Sequence, residues 1–572
     1  MKSLKLAASI VAVAIPVLAS LSCSSHPPPA QGVRSAPGVK VGYGIGASCI
    51  PEAVASRRVA LTGAADPKEH LTVALQLPLR NQPELTQLLQ DLYDPGSPTF
   101  HKFLSVSEFT ERFGPTAADY KKVVAWAKSK GLSVTLTTPN RRLVAVEATV
   151  EKINRAFQVR ISHYRHPSEG RVFYSADREP APAGLSVPLL QITGMSNYVV
   201  PHPMLKRGNA VSVAGSGPSG QFLPSDMRAA YYGKGPLTGS GQTVGILSFD
   251  GYVAGDVQLY YAKTGMRARV PIKNVLVGGF NGACTTVGAE GASTCDDAEQ
   301  VLDIVNVVGM APGLKQILFY EGSRDTLILN QMATDNVAKV LSSSWAWNPE
   351  DAASDDPIFQ EFAAQGQSFL SASGDSGQFN SATYFFPGVD PYVIQVGGTV
   401  LTTTGPGGAW AAETAWPQSG GGYFSPTPIP AWQQLPGVIN PGNQGSMSLR
   451  NAPDVAAEAN FDNPTVVNGK FMTGYGGTSF AAPRWAGFLA LVNQQSVANG
   501  RGTVGFINPT LYNLGVSATR SAVFHDITSG SNPPTVGDGS GFNAVPGYDL
   551  VTGWGSPAGP ALIDQLAGPR AK

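Results

Sequence analysis

Gly474 to Pro483 reads "GYGGTSFAAP" and indicates what kind of fold most of this 572-residue chain forms. Ser479 lies within Gly-Thr-Ser-x-Ala-x-Pro and is followed by an apolar run, which predicts the start of a buried helix. A helix N-terminus favours negative charge that develops beside it, so Ser479 is a candidate nucleophile. A serine hydroxyl is a weak nucleophile and needs an adjacent base.

Histidine is the usual base for a serine nucleophile, and it is scarce here. The seven histidines are His26, His70, His101, His163, His166, His202 and His525. None lies between Pro203 and Phe524. His525 follows the serine and neighbours a candidate metal-binding aspartate, so we do not expect it to be the base. Either Ser479 is inert, or another kind of residue takes its proton.

Carboxylates are the remaining candidates for the base. In "TCDDAEQVLDIVNVVGMAPG", Thr294 to Gly313, Glu299 and Asp303 are four residues apart and therefore share one face of a predicted helix. If this pair is buried, the two groups share a proton and have displaced pKa values, so that the Glu can act as base while the Asp orients it. The alternative from spacing alone is a solvated acidic face that includes Asp296 and Asp297.

A second candidate segment is "SASGDSGQF", Ser371 to Phe379. Gly-Asp-Ser-Gly resembles the nucleophile segment of chymotrypsin-like peptidases, which would make Ser376 reactive. Those domains are all-β and carry an upstream histidine, whereas this chain has no histidine upstream in the same domain. We therefore do not expect Ser376 to be the nucleophile. Asp375 is more informative, because it ends a predicted strand, where α/β proteins place site residues. A turn-forming Asp is the alternative.

Composition and the N-terminus favour an exported, loop-rich protein. Lys plus Arg equals Asp plus Glu, 40 each, so no basic field indicates a nucleic-acid partner. Residues 1–22 are typical of a signal peptide, and their apolar run is too short for a stable membrane span. Residues 23–50 form a Pro-rich and Gly-rich tether. We expect a secreted protein, with a periplasmic location or a lipid anchor at Cys23 as alternatives.

The rest of the chain divides into two predicted domains. Residues 51–205 alternate strand-like and helical segments, which predicts a small α+β domain. Residues 206–221, "KRGNAVSVAGSGPSGQ", form the clearest linker. Residues 222–568 contain apolar, β-branched runs separated by helical segments, which predicts an α/β domain with a mostly parallel sheet.

Of the four cysteines, Cys284 and Cys295 are close enough in sequence to close one loop by a disulfide. Two free thiols are the alternative. Cys49 has no obvious partner.

In order and spacing, Glu299-x-x-x-Asp303, Ser-Gly-Asp375-Ser-Gly and Gly-Gly-Thr-Ser479-x-Ala-x-Pro resemble the sedolisin family of serine-carboxyl peptidases, with kumamolisin-like enzymes as the nearest type. "DPGSPTFHKFLSVSEFTERFGPT", Asp94 to Thr116, is similar to the activation prodomain of their precursors. The resemblance implies an α/β fold with a subtilisin-like, mostly parallel sheet and flanking helices, preceded by the smaller α+β prodomain.

The resemblance also implies a role for each site residue. Ser479 would be the nucleophile, Glu299 the general base and acid, Asp303 the group that orients Glu299, and Asp375 the oxyanion donor. A carboxyl donates a hydrogen bond only when it is protonated, so Asp375 needs acid solution, a raised pKa, or both. An acid-acting endopeptidase is therefore expected.

At the C-terminal end the resemblance implies one structural calcium ion. Its ligands would be the side chains of Asp526 and Asp549 and the carbonyl oxygens of Ile527, Val545 and Gly547. Carboxylate and carbonyl oxygens suit this hard cation. Val545 stands where glycine is frequent in the family, and a plain Asx-turn at Asp526 is the alternative.

Two further departures from the family pattern put the substrate pockets in doubt. Ala346 follows the tryptophan of "SSSWAW", at a position where family members commonly have glycine. Asp250 stands where the acidic residue near the site is often Glu in the family.

Together the sequence predicts a self-processing zymogen that acts on proteins or peptides and is inhibited by its own prodomain. We expect acid to protonate carboxylates at the prodomain interface and to trigger cleavage in or near 206–221. The alternative function is a catalytically silent exported binding protein on the same fold.

Overall fold

The structure, a computed structural model, describes residues 49–570 except 212, 268–269, 286–294, 348–351, 381–384, 424–426 and 538. The predicted signal peptide, Cys23 and nearly all of the predicted tether lie outside the described residues. No helix in the described part is both long enough and apolar enough to cross a membrane.

The residues predicted to form the prodomain fold as two antiparallel sheets with helices packed on them. The helices are α1 (Glu52–Ala55), α2 (Gln82–Tyr93), α3 (Val106–Arg112), α4 (Ala117–Ser129) and α5 (Val150–Phe157). The strands are β1 (Leu61–Ala64), β2 (His70–Gln76), β3 (Ser133–Thr137), β4 (Leu143–Thr149), β5 (Ile161–Arg165), β6 (Val172–Ala176) and β7 (Gln191–Thr193). One sheet has the order β3-β4-β2-β7 and the other β1-β5-β6.

Local sequence signals set the start of two prodomain helices. Ser105 caps α3 in a capping box, in which its Oγ accepts from the Glu108 N–H and the Glu108 carboxylate accepts from the Ser105 N–H. Thr116 caps α4 through the N–H of Asp119. The predicted alternation of strands and helices in this region is present.

The second domain is built on one large sheet. The remaining strands of the chain are β8 (His202–Pro203), β9 (Lys206–Arg207), β10 (Thr243–Ser248), β11 (Ile272–Leu276), β12 (Gln316–Glu321), β13 (Val340–Ser343), β14 (Trp345–Ala346), β15 (Ser368–Ala372), β16 (Val393–Thr403), β17 (Trp410–Ala415), β18 (Val455–Glu458), β19 (Asn463–Val467), β20 (Lys470–Gly476), β21 (Phe524–His525) and β22 (Ser556–Pro557). The large sheet has the order β11-β12-β10-β13-β15-β16-β17, with β18 also paired to β16. All its neighbours are parallel except β16 and β17, which confirms the mostly parallel sheet.

Helices connect the parallel strands and cover the sheet, as parallel pairing requires. They are α6 (Pro224–Tyr231), α7 (Ala254–Thr264), α8 (Ala298–Met310), α9 (Asp325–Asp335), α10 (Ala352–Ala364), α11 (Thr478–Ala498), α12 (Asn508–Gly515), α13 (Arg520–Val523) and α14 (Gly559–Ala567). Helices α8 and α11 pack against each other inside the domain, and every residue of α8 is buried. This pair of central helices carries the candidate site.

The prodomain docks through α2 and the turn before β4. The leucines of α2 join the apolar core of the second domain. The Tyr93 hydroxyl donates to the Ala363 carbonyl oxygen over 2.6 Å, and Asn140 Nδ2 donates to Glu361 Oε2 over 3.0 Å. Arg142 is buried near the Glu361 carboxylate. The predicted prodomain therefore shares an apolar and polar interface with the second domain.

Candidate active site

A sharp turn places Ser479 as the second residue of α11. Strand β20 ends at Gly476, and Gly477 turns the chain into the helix with a φ of 145°. Glycine is needed at this position, because a Cβ would lie 2.4 Å from the Met204 carbonyl oxygen and 2.7 Å from Asp375 Oδ2. Ser479 is 0 % exposed. The predicted serine at the start of a buried helix is therefore present.

Helix α8 brings a carboxylate to the serine. The Ser479 Oγ–H donates to Glu299 Oε2 over 3.0 Å. One turn further along, Asp303 Oδ1 accepts from the Ser344 Oγ–H over 2.6 Å. Glu299 and Asp303 are 2 % and 1 % exposed, so the alternative of a solvated acidic face does not hold. Glu299 Oε1 has no hydrogen-bond partner among the described residues.

The two carboxyls cannot both be ionised at little cost in this environment. Burial, and next the charge of Asp303, raise the pKa of Glu299 well above its usual value. Burial likewise raises the pKa of Asp303 well above its usual value, and its hydrogen bond from Ser344 opposes that rise. Two buried carboxyls one turn apart therefore hold at least one proton between them over a wide pH range.

Asp375 lies just beyond the carboxyl end of β15 and faces the same point. Its Oδ1 accepts from the Thr478 N–H over 2.8 Å and from the Thr478 Oγ1–H over 2.9 Å. Its Oδ2 is buried and makes no hydrogen bond to any residue in the described part of the chain. Burial raises the pKa of Asp375 to about 7. In acid, the Asp375 carboxyl is protonated, and its Oδ2–H is a donor with no hydrogen-bond acceptor among the described residues.

The two other sequence candidates take no part in this arrangement. The His525 ring stacks on Trp410 with 4.0 Å between ring centroids, and burial lowers the pKa of His525 to about 4. The Ser376 carbonyl oxygen accepts from the N–H of Thr535, which ties this residue to the C-terminal loops. Neither residue contacts Ser479 or Glu299.

Sequence reasoning missed Ser344 and Thr478, which hold Asp303 and Asp375 in place. Both are small hydroxyl residues beside a motif, and only the folded geometry distinguishes them from their neighbours. It also missed Glu321, which is 0 % exposed and has both carboxyl oxygens without a hydrogen bond among the described residues. Burial, and then the nearby Asp250, raise the pKa of Glu321 to about 7.

A disulfide anchors the segment that enters α8. Cys284 and Cys295 are bonded, with their Cα atoms 5.3 Å apart, which confirms the predicted pair. Cys295 lies shortly before Ala298, where α8 begins, so the bond fixes the approach to Glu299.

The predicted calcium ligands lie together at the C-terminal end. Gly547 N–H donates to Asp526 Oδ2 over 3.0 Å, and Val545 N–H donates to Asp549 Oδ2 over 3.2 Å. The carbonyl oxygens of Ile527, Val545 and Gly547 accept no hydrogen bond from the described residues. Among the described residues, no group of three or more His, Cys, Asp or Glu side chains could hold a metal ion. A cation at Asp526 and Asp549 would therefore depend on these carbonyl oxygens.

These residues fit a hard cation by their chemistry. Asp549 is 0 % exposed, and its carboxylate accepts hydrogen bonds from the N–H groups of Val545, Val551 and Thr552. Two carboxylates with three unused carbonyl oxygens match the ligands that calcium prefers. Arg520 lies 3.7 Å from Asp526 and is partly exposed, so it has room to turn towards solvent.

Fold and geometry together define a class of protein. A buried serine at a helix N-terminus, hydrogen-bonded to a carboxylate beside a mostly parallel sheet, is the arrangement of a serine peptidase that uses no histidine. Comparison with known families agrees. Residues 57–198 match the family "Pro-kumamolisin, activation domain", and residues 281–511 match the "Subtilase family".

Comparison with individual proteins is more specific. Sedolisin from Pseudomonas sp. (strain 101) is 32 % identical, and the match covers 86 % of each chain. Kumamolisin from Bacillus sp. (strain MN-32) is 30 % identical over 80 % of this chain and 85 % of its own. The solved structure of Pseudomonas sedolisin, a serine-carboxyl proteinase complexed with two molecules of pseudo-iodotyrostatin, matches 63 % of this chain and 100 % of its own with a TM-score of 0.52 and 30 % identity. The chain belongs to the sedolisin family of serine-carboxyl peptidases and carries an activation prodomain.

Proposed function

We propose that the chain is the precursor of an exported, acid-acting serine-carboxyl endopeptidase that processes itself. The observation that carries the proposal is the 3.0 Å hydrogen bond from Ser479 Oγ to Glu299 Oε2, within a site that has no imidazole. Ser479 is the nucleophile and Glu299 the general base. Asp303 positions Glu299, and Asp375 is the second oxyanion donor besides the Ser479 N–H.

The proposed reaction has two stages. The Ser479 Oγ adds to the substrate carbonyl carbon while Glu299 takes the hydroxyl proton, and the oxyanion accepts hydrogen bonds from the Ser479 N–H and from protonated Asp375 Oδ2. Glu299 then gives its proton to the leaving amine as the C–N bond breaks. Water hydrolyses the resulting ester by the same sequence of proton transfers.

The acid optimum follows from Asp375. A neutral carboxyl donates a hydrogen bond and an ionised one does not. Because burial raises the pKa of Asp375 to about 7, the donor form is present below that pH and is lost above it. Glu299 must lose a proton to act as base, so the coupled pair of Glu299 and Asp303 sets the acid limb of the profile.

The cleft supports cleavage within a chain. Strand β14 lies on one side of Ser479 and pairs with β8, and strand β20 lies on the other side and pairs with β9. An extended substrate could pair with β14 and β20 in the same way, so it would extend on both sides of the reacting bond. A silent binding protein remains the competing function. It has no need for a serine and three buried carboxyls around one point, and this observation favours the enzyme.

Calcium, export and inhibition complete the proposal. One structural calcium ion would be held by Asp526, Asp549 and the carbonyl oxygens of Ile527, Val545 and Gly547, and it would tie the C-terminal loops together. Export rests on residues 1–22, with a lipid anchor at Cys23 as an alternative. The prodomain is the intramolecular inhibitor, and proteins or peptides are the substrates.

The test is an incubation of the purified precursor at about pH 4 and about pH 7. Wild type is compared with Ser479→Ala and with Ser376→Ala, the matched control on the other candidate serine. Intact-mass spectrometry and digestion of a denatured protein report the result. We expect processing and digestion in acid for wild type and Ser376→Ala, and neither for Ser479→Ala. Activity only at neutral pH would overturn the role of Asp375, and no activity at either pH would favour the binding protein.

A further inference from the structure

The chain threads its own segment 202–207 through the active site. On the side before the reacting point, β8 pairs antiparallel with β14, so that Pro203 lies opposite Trp345 and His202 opposite Ala346. The N–H of Met204 then donates to the carbonyl oxygen of Ser344 over 2.8 Å. Main-chain pairing of this kind is how peptides bind along an exposed strand.

The chain continues in register on the other side. Strand β9 pairs antiparallel with β20, with Lys206 opposite Gly476 and Arg207 opposite Tyr475. The N–H of Gly208 donates to the Gly474 carbonyl oxygen over 2.9 Å. The two short pairings leave the peptide bond between Met204 and Leu205 at the point where the segment passes Ser479.

The carbonyl group of that bond lies where an oxyanion would form. The Ser479 N–H donates to the Met204 carbonyl oxygen over 3.2 Å. A Cβ on Gly477 would contact this oxygen, Asp375 Oδ2 and Leu205 Cα at 2.4, 2.7 and 3.2 Å, so these three atoms surround one small space. Both donors of the proposed oxyanion site are thus beside the Met204 carbonyl.

The side chains on either side of the bond are accommodated in apolar surroundings. Met204 is 4 % exposed and belongs to the main apolar core. Leu205 packs against the cluster formed by Ala298, Leu302, Tyr475 and Phe480. Pro201 and Pro203 restrict the preceding backbone to extended conformations, which lowers the entropy lost on binding.

We propose that the precursor cuts itself between Met204 and Leu205, so that the mature enzyme begins at Leu205. The proposal rests on the proposed function and adds to it the bond and the residue preference. The predicted processing region, 206–221, starts one residue after this point. An apolar, unbranched residue before the bond and an apolar residue after it are the preferred substrate side chains.

The proposed cleavage is an acyl transfer to Ser479 followed by hydrolysis. The Ser479 Oγ bonds to the Met204 carbonyl carbon, and its proton passes to Glu299. The bond to the Leu205 nitrogen breaks, and that nitrogen receives the proton. Water then splits the ester, which leaves a carboxyl group on Met204, an amine on Leu205 and the free Ser479 hydroxyl.

The first experiment identifies the new N-terminus. The full-length precursor is incubated at about pH 4, and samples from the first minutes are analysed by N-terminal sequencing and intact mass. We expect the first new N-terminus at Leu205, with a first-order rate that does not change with precursor concentration. A first cut at another bond that Ser479→Ala abolishes would overturn the proposal and leave the proposed function intact. No cut and no digestion of added protein would contradict both.

Matched variants test the residue preference without disturbing the catalytic groups. Met204→Asp places a carboxyl group where the side chain is buried. Asn209→Asp places the same group at an exposed position two residues after segment 202–207. We expect Met204→Asp to slow the cut after residue 204 at least about tenfold and Asn209→Asp to leave it unchanged. Met204→Leu should keep wild-type processing. Equal rates for the two Asp variants would overturn the assignment.

A peptide supplies a readout that does not depend on precursor folding. Mature enzyme, produced from wild type, is given a synthetic peptide with residues 199–210, "VVPHPMLKRGNA". We expect a single cut between Met and Leu, and a large loss of rate when Asp replaces Met. A cut elsewhere in this peptide by an enzyme that digests denatured protein would refute the register.

Discussion

Replacing Asp375 by Asn should remove the neutral-pH decline of activity. Asp375 Oδ1 accepts two hydrogen bonds from Thr478, and an amide oxygen can accept the same two. The amide nitrogen then takes the place of Oδ2, which has no partner among the described residues. An amide donates a hydrogen bond at every pH, whereas the wild-type carboxyl donates only when it is protonated.

The size of the effect follows from the pKa of Asp375, which burial raises to about 7. Above that pH the protonated fraction falls tenfold for each pH unit, so wild-type kcat/KM at pH 9 should be about 100-fold below its plateau. The Asn variant should show no decline over this range. Asp375→Ala should lose about 10²–10³ in kcat because one oxyanion donor is absent.

The assay is initial-rate cleavage of an internally quenched peptide by mature enzyme between about pH 4 and about pH 9, with return to acid as the check for irreversible unfolding. Variant precursors that do not process are matured by added wild-type enzyme, which is then removed. Ser376→Ala is the neighbouring control. If kcat/KM of Asp375→Asn still falls tenfold per pH unit above about pH 7, a group other than Asp375 is the pH-dependent donor, and the role assigned to Asp375 is wrong.

Three further predictions concern the base, the cation and the interface. Glu299→Gln should lower kcat about 10²–10⁴-fold with little change in KM, because Ser479 loses its proton acceptor. Chelation should lower the Tm of the Ser479→Ala precursor, and calcium should restore it. At a calcium concentration of 100 Kd, the free energy of unfolding should rise by about 2.7 kcal/mol. The same precursor with Asp526→Asn added should not respond to calcium. Glu361→Gln should weaken the pH dependence of precursor stability, because burial raises the pKa of Glu361 to about 7 and its folded form therefore binds a proton more tightly than its unfolded form.

Each of these has a result that would count against it. Unchanged kcat in Glu299→Gln would remove Glu299 from the mechanism. A Tm that ignores both chelator and calcium would remove the cation site. For Glu361, stability should fall by up to about 1.4 kcal/mol per pH unit as the pH rises from about 4.5 to about 7. A Tm for the Ser479→Ala precursor that rises over this interval would show that the sign is wrong.

The sheet was predictable because its strands are short apolar runs between glycines and polar turns. The apolar runs "QTVGILSF" (242–249), "KVLSSSW" (339–345), "QSFLSASG" (367–374) and "YVIQVGG" (392–398), each of which predicts a strand, contain β10, β13, β15 and β16, the centre of the parallel sheet. The segment from Lys206 to Gln221 was less predictable. Its glycines and small residues indicate a linker, yet its first two residues form β9, because the edge of β20 is available for pairing.

The site was predictable in its residues but not in its environment. Spacing alone places Glu299 and Asp303 on one helix face, whether that face is solvated or buried. The burial of α8 depends on α11 and β19, which are distant in sequence, and no local pattern reports it. Ser344 and Thr478 were missed for the same reason, since each is only a hydroxyl beside a strand or a helix until the fold brings Asp303 or Asp375 to it.

One buried carboxyl at the interface of this precursor works against loosening by acid. The carboxylate of Glu361 accepts from Asn140 of the prodomain, and no ion pair joins the two domains among the described residues. Burial raises the pKa of Glu361 to about 7, so protonation of this residue favours the folded precursor over the unfolded chain. Burial also raises the pKa of Asp375 to about 7, so the same acid range favours the protonated Asp375 that the proposed oxyanion site requires. On the proposed mechanism, acid therefore promotes the cut after Met204 rather than a loosening of the contact at Glu361.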